Sequence, residues 1–104
     1  MTAVLVYITA ADRAEAASIG RVLFGERRAA CANVLDGLIS FYLWQGKTSE
    51  DSEAILIAKT AEARVVTLTE RVKALHSYDC PCVVTLPIAG GNAAFLDWIA
   101  AQTA

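Results

Sequence analysis

The sequence lacks any run of basic residues. Its 104 residues include nine Lys and Arg against eleven Asp and Glu, which gives a formal net charge of -2 at pH 7. The densest charge cluster, Glu26–Arg28, mixes both signs. Because a nucleic-acid interface needs Lys and Arg gathered on one face, this composition argues against a nucleic-acid partner.

Long hydrophobic runs are also missing. No segment approaches the roughly 20 consecutive apolar residues that a membrane-spanning helix requires. The apolar opening at residues 1–8 has no positively charged segment before it and no evident cleavage site after it. We therefore expect a cytoplasmic protein with no membrane partner.

Cysteine is scarce and odd in number, with Cys31, Cys80 and Cys82 the three in the chain. A disulfide framework in a small secreted protein normally uses an even set of cysteines. Free thiols in a reducing compartment fit this count better.

Aromatic residues supply only 8% of the chain, although hydrophobic residues reach 56%. The usual hydrophobic fraction of soluble domains is about 45–50%, so the excess here consists of Ala, Val, Ile and Leu. This composition suits a β-rich core, and it leaves apolar surface that a subunit interface could cover.

The length predicts a single domain over residues 1–104. Its first element is a predicted strand at Ala3–Thr9, which is short and β-branched. Asp12 is then suited to cap a helix, and Glu15 stands where a capping box places its acidic residue. Apolar residues at helical spacing carry this helix toward the charge cluster at Glu26–Arg28.

The middle of the chain predicts a long hairpin. Strand candidates at 31–35 and 38–44 are separated by Asp36-Gly37, and the second is rich in aromatic and β-branched residues. A turn at 45–47 leads to a returning strand at 53–60.

The remaining elements are a helix, a loop, a strand, a turn-rich break and a terminal helix, predicted at 61–75, 76–81, 82–86, 87–92 and 95–101. The whole order is β-α-β-β-α-β followed by a helix. It predicts an α+β fold of the ferredoxin-like split βαβ type, a βαββαβ sandwich with a long hairpin and a C-terminal helix.

Four ordered stretches and one tryptophan resemble the CutA divalent-cation tolerance family over nearly the whole chain. They are Ala29–Val34, Ser40–Lys47, Ile57–Thr60, His76–Pro81 and Trp98. The resemblance implies a ferredoxin-like subunit in a homotrimer whose strands pair across subunits. It also implies a part in tolerance of copper and other divalent cations, with copper binding in some members. No catalytic activity is established for the family, so we expect no enzyme.

The chain departs from the family pattern within the box that begins at His76. Ser77 stands where the family has Pro, Asp79 where it has Glu, and Cys82 where it has Glu. A metal site that used this last carboxylate would lose a hard oxygen ligand and gain a soft sulfur.

His76, Cys80 and Cys82 are the sharpest candidate metal ligands, because thiolate and imidazole bind copper and zinc. If both cysteines are in extended backbone, their side chains point to one face. Cys31 is a further candidate ligand. The alternative interpretation is that the cysteines are small apolar fillers and that His76 caps the preceding helix.

Tyr42, Trp44, Lys59 and Tyr78 form the second candidate site. The family resemblance places these positions near a cleft between subunits, where a Lys with aromatic neighbours would suit a small anion. The alternative is that the aromatic side chains cover the hairpin and Lys59 ends a strand at the surface.

Three functions therefore remain open. The first is a homotrimeric protein that binds copper-type ions, and the second is a trimeric signalling protein that binds a small molecule in the inter-subunit cleft. The third is an acylphosphatase-like enzyme, which ranks last because no Gly-rich anion loop with an Arg follows the first strand. His76 also lacks an evident Ser or carboxylate partner for triad chemistry.

Overall fold

The computed structural model describes residues 2–104, which form four strands and three α-helices. They are β1 (Ala3–Ala10), α1 (Arg13–Gly25), β2 (Cys31–Trp44), β3 (Lys47–Ala61), α2 (Val65–Leu75), β4 (Val83–Pro87) and α3 (Ala93–Gln102). A single 3₁₀ turn at Glu62–Arg64 precedes α2.

The strands form one antiparallel sheet in the order β2-β3-β1-β4. The central strands β1 and β3 are joined in register from the Ala3–Ala61 pair to the Ala10–Ala54 pair. This is the ferredoxin-like arrangement that the order of elements predicts, and the α+β prediction is confirmed. Strands β2 and β4 form the two edges of the sheet.

The core lies between one face of the sheet and the helices. Alternate residues of β1 and β3, such as Ile8 and Leu56, are fully buried against Ile19 and Leu23 of α1. Gly20 follows Ile19 and is one of the buried residues of α1. A Cβ atom at Gly20 would lie 3.1 Å from Leu56 Cδ1. The absence of a side chain at Gly20 therefore lets α1 approach the sheet closely.

Helix α1 begins as its sequence predicts. Asp12 Oδ1 accepts a hydrogen bond of 2.8 Å from the Glu15 amide, and Glu15 Oε1 accepts one of 3.0 Å from the Ala11 amide. These bonds satisfy backbone donors that a helix N-terminus leaves free.

The hairpin is longer and more continuous than predicted. The strand does not end at Asp36-Gly37, because β2 absorbs the extra residue as a bulge between Leu35 and Leu38. Gly37 has φ of 79°, a left-handed conformation that glycine adopts without strain. The Gly37 amide donates to Asp36 Oδ1 at 2.8 Å, which stabilises the bulge.

The returning strand starts at Lys47, six positions before its predicted start at Glu53. The reason is the two-residue turn, in which Gln45 and Gly46 both have positive φ, of 50° and 78°. Such turns match the twist of the flanking strands and keep them paired up to the turn, here as Trp44 opposite Lys47.

The two hairpin strands continue well past the end of β1. Because β1 stops at Ala10, opposite Ala54, residues 38–53 of the hairpin project beyond the central sheet. We call this projecting part the arm. Side chains alternate along it, so that Ser40, Tyr42 and Trp44 share one face with Glu53.

The starts of three other elements, α2, β4 and α3, differ from their predicted positions. Strand β3 runs through Ala61, which pairs with Ala3, so α2 starts at Val65 and not at residue 61. Strand β4 begins at Val83, one residue later than predicted. Helix α3 starts earlier, at Ala93, because Asn92 Oδ1 accepts from the Ala94 amide at 3.0 Å.

Within residues 2–104, every helix is too short or too polar to cross a membrane.

Leu56→Ala should test how far the fold depends on the contact between α1 and the sheet. Leu56 is fully buried, so truncation should lower the free energy of unfolding by about 2–5 kcal/mol. Val66→Ala on α2, at a side chain that is 73% exposed, should change it by less than about 0.5 kcal/mol. Urea unfolding at one protein concentration measures both, and equal effects would contradict this assignment of the core.

Candidate functional site

The main cavity lies between the arm and the loop that joins α2 to β4. Its volume is about 560 Å³. We call residues 76–82 the site loop. The lining residues come from the end of β1, from the arm and from the site loop: Thr9, Ser40, Phe41, Tyr42, Trp44, Glu53, Ser77, Tyr78, Asp79, Cys80 and Cys82.

His76 attaches the site loop to the end of β1. Its buried ring donates from Nε2 to the Thr9 carbonyl oxygen at 2.8 Å, and its Nδ1 accepts from the Tyr78 amide at 3.0 Å. Because a carbonyl oxygen only accepts and an amide only donates, these bonds define the neutral tautomer with the proton on Nε2. Both ring nitrogens are thereby engaged within the protein.

Glu15 holds the same loop from the side of α1. Its Oε2 accepts from the Ser77 amide at 2.9 Å while Oε1 accepts from Ala11. Burial by itself would raise the pKa of this carboxyl group. The hydrogen bonds from Ala11 and Ser77 outweigh burial and hold the pKa of Glu15 below its ordinary value of 4.5.

Tyr78 joins the site loop to the arm. Its hydroxyl donates to Glu53 Oε2 at 2.7 Å, and Glu53 is only 8% exposed. Burial, the hydrogen bond to Glu53 and the carboxylate charge all raise the pKa of the Tyr78 hydroxyl well above its ordinary value. Tyr78 therefore stays protonated and remains a donor to Glu53 throughout the physiological range.

The arm supplies the aromatic wall of the cavity. Tyr42 donates its hydroxyl to Asp51 across the hairpin, and this bond, with burial and the Asp51 charge, raises the pKa of Tyr42. Tyr42 and Trp44 lie on the same face and remain 43% and 52% exposed. Their rings are therefore accessible to a ligand.

The structure brings Cys80 and Cys82 to the same cavity as free thiols, the first exposed and the second half-buried. The site loop places them there, because β4 begins only at Val83. Alternation along a strand is therefore not what brings the two side chains together. Among residues 2–104, no group of three or more His, Cys, Asp and Glu side chains is arranged to hold a metal ion.

The other predicted site residues lie elsewhere in the chain. Lys59 donates from Nζ to Asn33 Oδ1 at 3.0 Å and is absent from the cavity lining. Cys31 pairs with Lys59 across β2 and β3 and faces a second cavity of about 430 Å³, beside Trp98. His76 holds the site loop through its hydrogen bonds to Thr9 and Tyr78, and it does not line the cavity.

Six lining residues are not among the site residues predicted from the sequence: Thr9, Ser40, Phe41, Glu53, Ser77 and Asp79. The sequence predicts Glu53 only as the first residue of a strand. The position of Glu53 opposite Leu38 follows from the strand register that the turn sets and from the bulge. Gly46 is the residue in the sequence that indicates this turn. The bulge had no comparable signal beyond Asp36-Gly37.

Comparison with known proteins gives a consistent result. Residues 4–102 match the model of the family described as CutA1 divalent ion tolerance protein. The chain is 46% identical to the divalent-cation tolerance protein CutA of Thermus thermophilus over 95% of this chain and 96% of that protein. It is 41% identical to the chloroplastic CutA 1 of Oryza sativa and spans 56% of that protein's length.

Solved structures agree with the sequence matches. The cation tolerance protein of T. thermophilus superposes with a TM-score of 0.95 at 45% identity, covering 98% of this chain and 99% of that one. The CutA1 structure from O. sativa superposes with a TM-score of 0.96 at 39% identity, covering 100% of this chain and 95% of that one. A protein described as periplasmic, from Archaeoglobus fulgidus, gives a TM-score of 0.94 at 36% identity, with 98% and 99% covered.

Glu15→Gln should loosen the site loop. Loss of the charged acceptor should lower the free energy of unfolding by about 1–2 kcal/mol near neutral pH. Because the folded-state pKa of Glu15 lies below 4.5, its contribution is present above pH 4.5 and is lost as the pH falls through that lower value.

Unfolding measured as a function of pH tests this assignment. The variant should lose part of the acid sensitivity of the wild type, whereas Glu70→Gln, at an exposed side chain on α2, should keep it. The same acid dependence in all three proteins would contradict the role given to Glu15.

Proposed function

This chain belongs to the CutA1 divalent ion tolerance family, and from that premise we propose that it is a homotrimeric binding protein for copper-type ions. The supporting observation is that Cys80 and Cys82 are free thiols lining one cavity. Thiolates are soft ligands and favour Cu(I) over hard cations. In this proposal the metal ion is the species that the protein binds.

The donor set fits a soft ion better than a hard one. Two thiols are a minimal set for Cu(I), and His76 would have to give up a hydrogen bond to Thr9 or Tyr78 before joining them. Cys31 faces the second cavity and would not take part. We therefore propose Cys80 and Cys82 as the ligands supplied by each chain.

The proposal of a homotrimer draws on the apolar side of the arm. Ile39, Phe41 and Leu43 alternate along β2 on the side opposite Tyr42, and they are 61%, 73% and 67% exposed. Phe41 is also among the residues that line the cavity, so it belongs to both surfaces. An apolar stripe of this kind on an edge strand invites pairing with another chain. A second copy of the arm would cover it.

We propose binding and not catalysis. His76 is the one histidine of the chain, and its ring nitrogens are engaged with Thr9 and Tyr78. It is therefore poorly placed to activate a nucleophile. For the compartment we propose the cytoplasm, from the sequence alone.

A second candidate function is the binding of a small molecule by a signalling trimer. The cavity volume of about 560 Å³ supports it, because ligand pockets occupy roughly 300–1,000 Å³ and a single ion needs far less. Lys59 lies outside the cavity of its own chain, so it would contribute only from a neighbouring subunit.

The oligomeric state is tested by light scattering during size-exclusion chromatography. The wild type should have three times the chain mass of 11.1 kDa. Phe41→Asp should dissociate the trimer, because it would place a charge in the apolar contact. Val66→Asp changes an equally exposed side chain on α2 and should remain trimeric, and a stable wild-type monomer would rule out the proposal.

The metal proposal is tested by a Cu(I) competition titration of the reduced protein. Cys80→Ser/Cys82→Ser should weaken binding by at least about tenfold, whereas Cys31→Ser should leave it unchanged. Because thiolates are the binding form, affinity should strengthen as the pH rises, and Mg²⁺ should barely compete. Equal Cu(I) affinity in the double variant and the wild type would show that these thiols are not ligands.

A further inference from the structure

The cavity is acidic, and residues 2–104 contribute no basic side chain to its lining. Glu53 and Asp79 contribute carboxylates, and no Lys or Arg is among the lining residues. Lys59, which the anion hypothesis required, lies elsewhere. The lining that one chain supplies therefore favours a cation, and an anion would need Lys59 of a neighbouring subunit in the proposed trimer.

Glu53 is the most informative of these groups, because it is more than nine-tenths buried. The Tyr78 hydroxyl occupies its Oε2, and among residues 2–104 no basic side chain forms an ion pair with it. A buried carboxylate is costly without a compensating positive charge. A cationic ligand in the cavity would supply that charge.

The aromatic wall favours an organic cation over a bare ion. Tyr42, Trp44 and Tyr78 line the same space as Glu53, and an ammonium group or its alkyl chain is attracted to the face of such rings. A cavity of about 560 Å³ also exceeds what a single dehydrated ion would fill.

Hydroxyl groups in the lining narrow the class of cation further. Thr9, Ser40 and Ser77 line the same cavity as Glu53 and Asp79, and their hydroxyl oxygens can accept hydrogen bonds. A primary ammonium group has three N–H donors to satisfy, whereas a quaternary ammonium has none. The lining therefore suits a primary amine better than a quaternary one.

We propose that the cavity between the arm and the site loop binds an aliphatic primary amine, with an ammonium group at Glu53 and the alkyl chain against Tyr42 and Trp44. A diamine would place its second ammonium group toward Asp79. This site shares the cavity of the proposed function but uses none of its thiols, so amine binding and Cu(I) binding can fail separately.

The test compares three probes of similar length and different charge: putrescine, butanediol and succinate. The full chain is used as Trp98→Phe, in which Trp44 is the sole tryptophan and reports from the cavity wall. Putrescine should change the Trp44 fluorescence saturably, and added salt should weaken the effect. Butanediol and succinate should bind at least about tenfold more weakly, because they lack charge-assisted hydrogen bonds to the carboxylates.

Matched variants locate the site. Glu53→Gln should weaken putrescine binding by roughly tenfold, since it removes the charge but keeps the shape of the side chain. Glu50→Gln makes the same change at an arm residue that does not line the cavity, and it should have no effect. Asp79→Asn, at an exposed loop position outside the core, should weaken putrescine binding by a few-fold. This variant tests the site even if Glu53→Gln does not fold.

Two results would overturn the proposal. One is equal binding of putrescine and butanediol, and the other is putrescine binding that neither Glu53→Gln nor Asp79→Asn weakens. Cys80→Ser/Cys82→Ser should retain putrescine binding even though it loses Cu(I). If the double variant lost both, the amine would depend on the thiols and the separate site proposed here would be wrong.

Discussion

The difference in length between the hairpin and its neighbour in the sheet shapes the rest of this protein. Strands β2 and β3 have 14 and 15 residues, whereas β1 has eight. In the part of the chain that the structure describes, no third strand pairs with the surplus, which projects as the arm. One face of the arm becomes a cavity wall and the other an exposed apolar stripe, so the candidate ligand site and the candidate subunit interface have one structural origin.

The site loop closes the other side of the cavity, and polar contacts from three elements hold it. His76 binds the end of β1, Glu15 reaches from α1 to Ser77, and Tyr78 donates to Glu53 in the arm. Each contact uses a buried or half-buried polar group with a specific partner, which keeps a loop without regular structure in one position. These contacts keep Cys80 and Cys82 of the site loop at the cavity.

The fold was largely predictable because its signals are local. Asp12 capped α1 as expected, and the order of elements led to the ferredoxin-like sheet. The errors occurred where strand pairing overrode local chemistry. Asp36-Gly37 predicts the end of a strand, but these residues form a bulge within β2. The reason is that β3 continues to pair with β2 beyond them.

The element order, the turn at Gly46, the family and the types of side chain available for chemistry all follow from the amino-acid sequence alone. Tertiary structure decided which of those side chains meet. Tyr78 lies 25 positions from Glu53 yet donates to it, whereas Lys59 on β3 donates to Asn33 and does not line the cavity. These outcomes depend on strand register and loop path, which are set by contacts between distant segments and not by the residues next to each group.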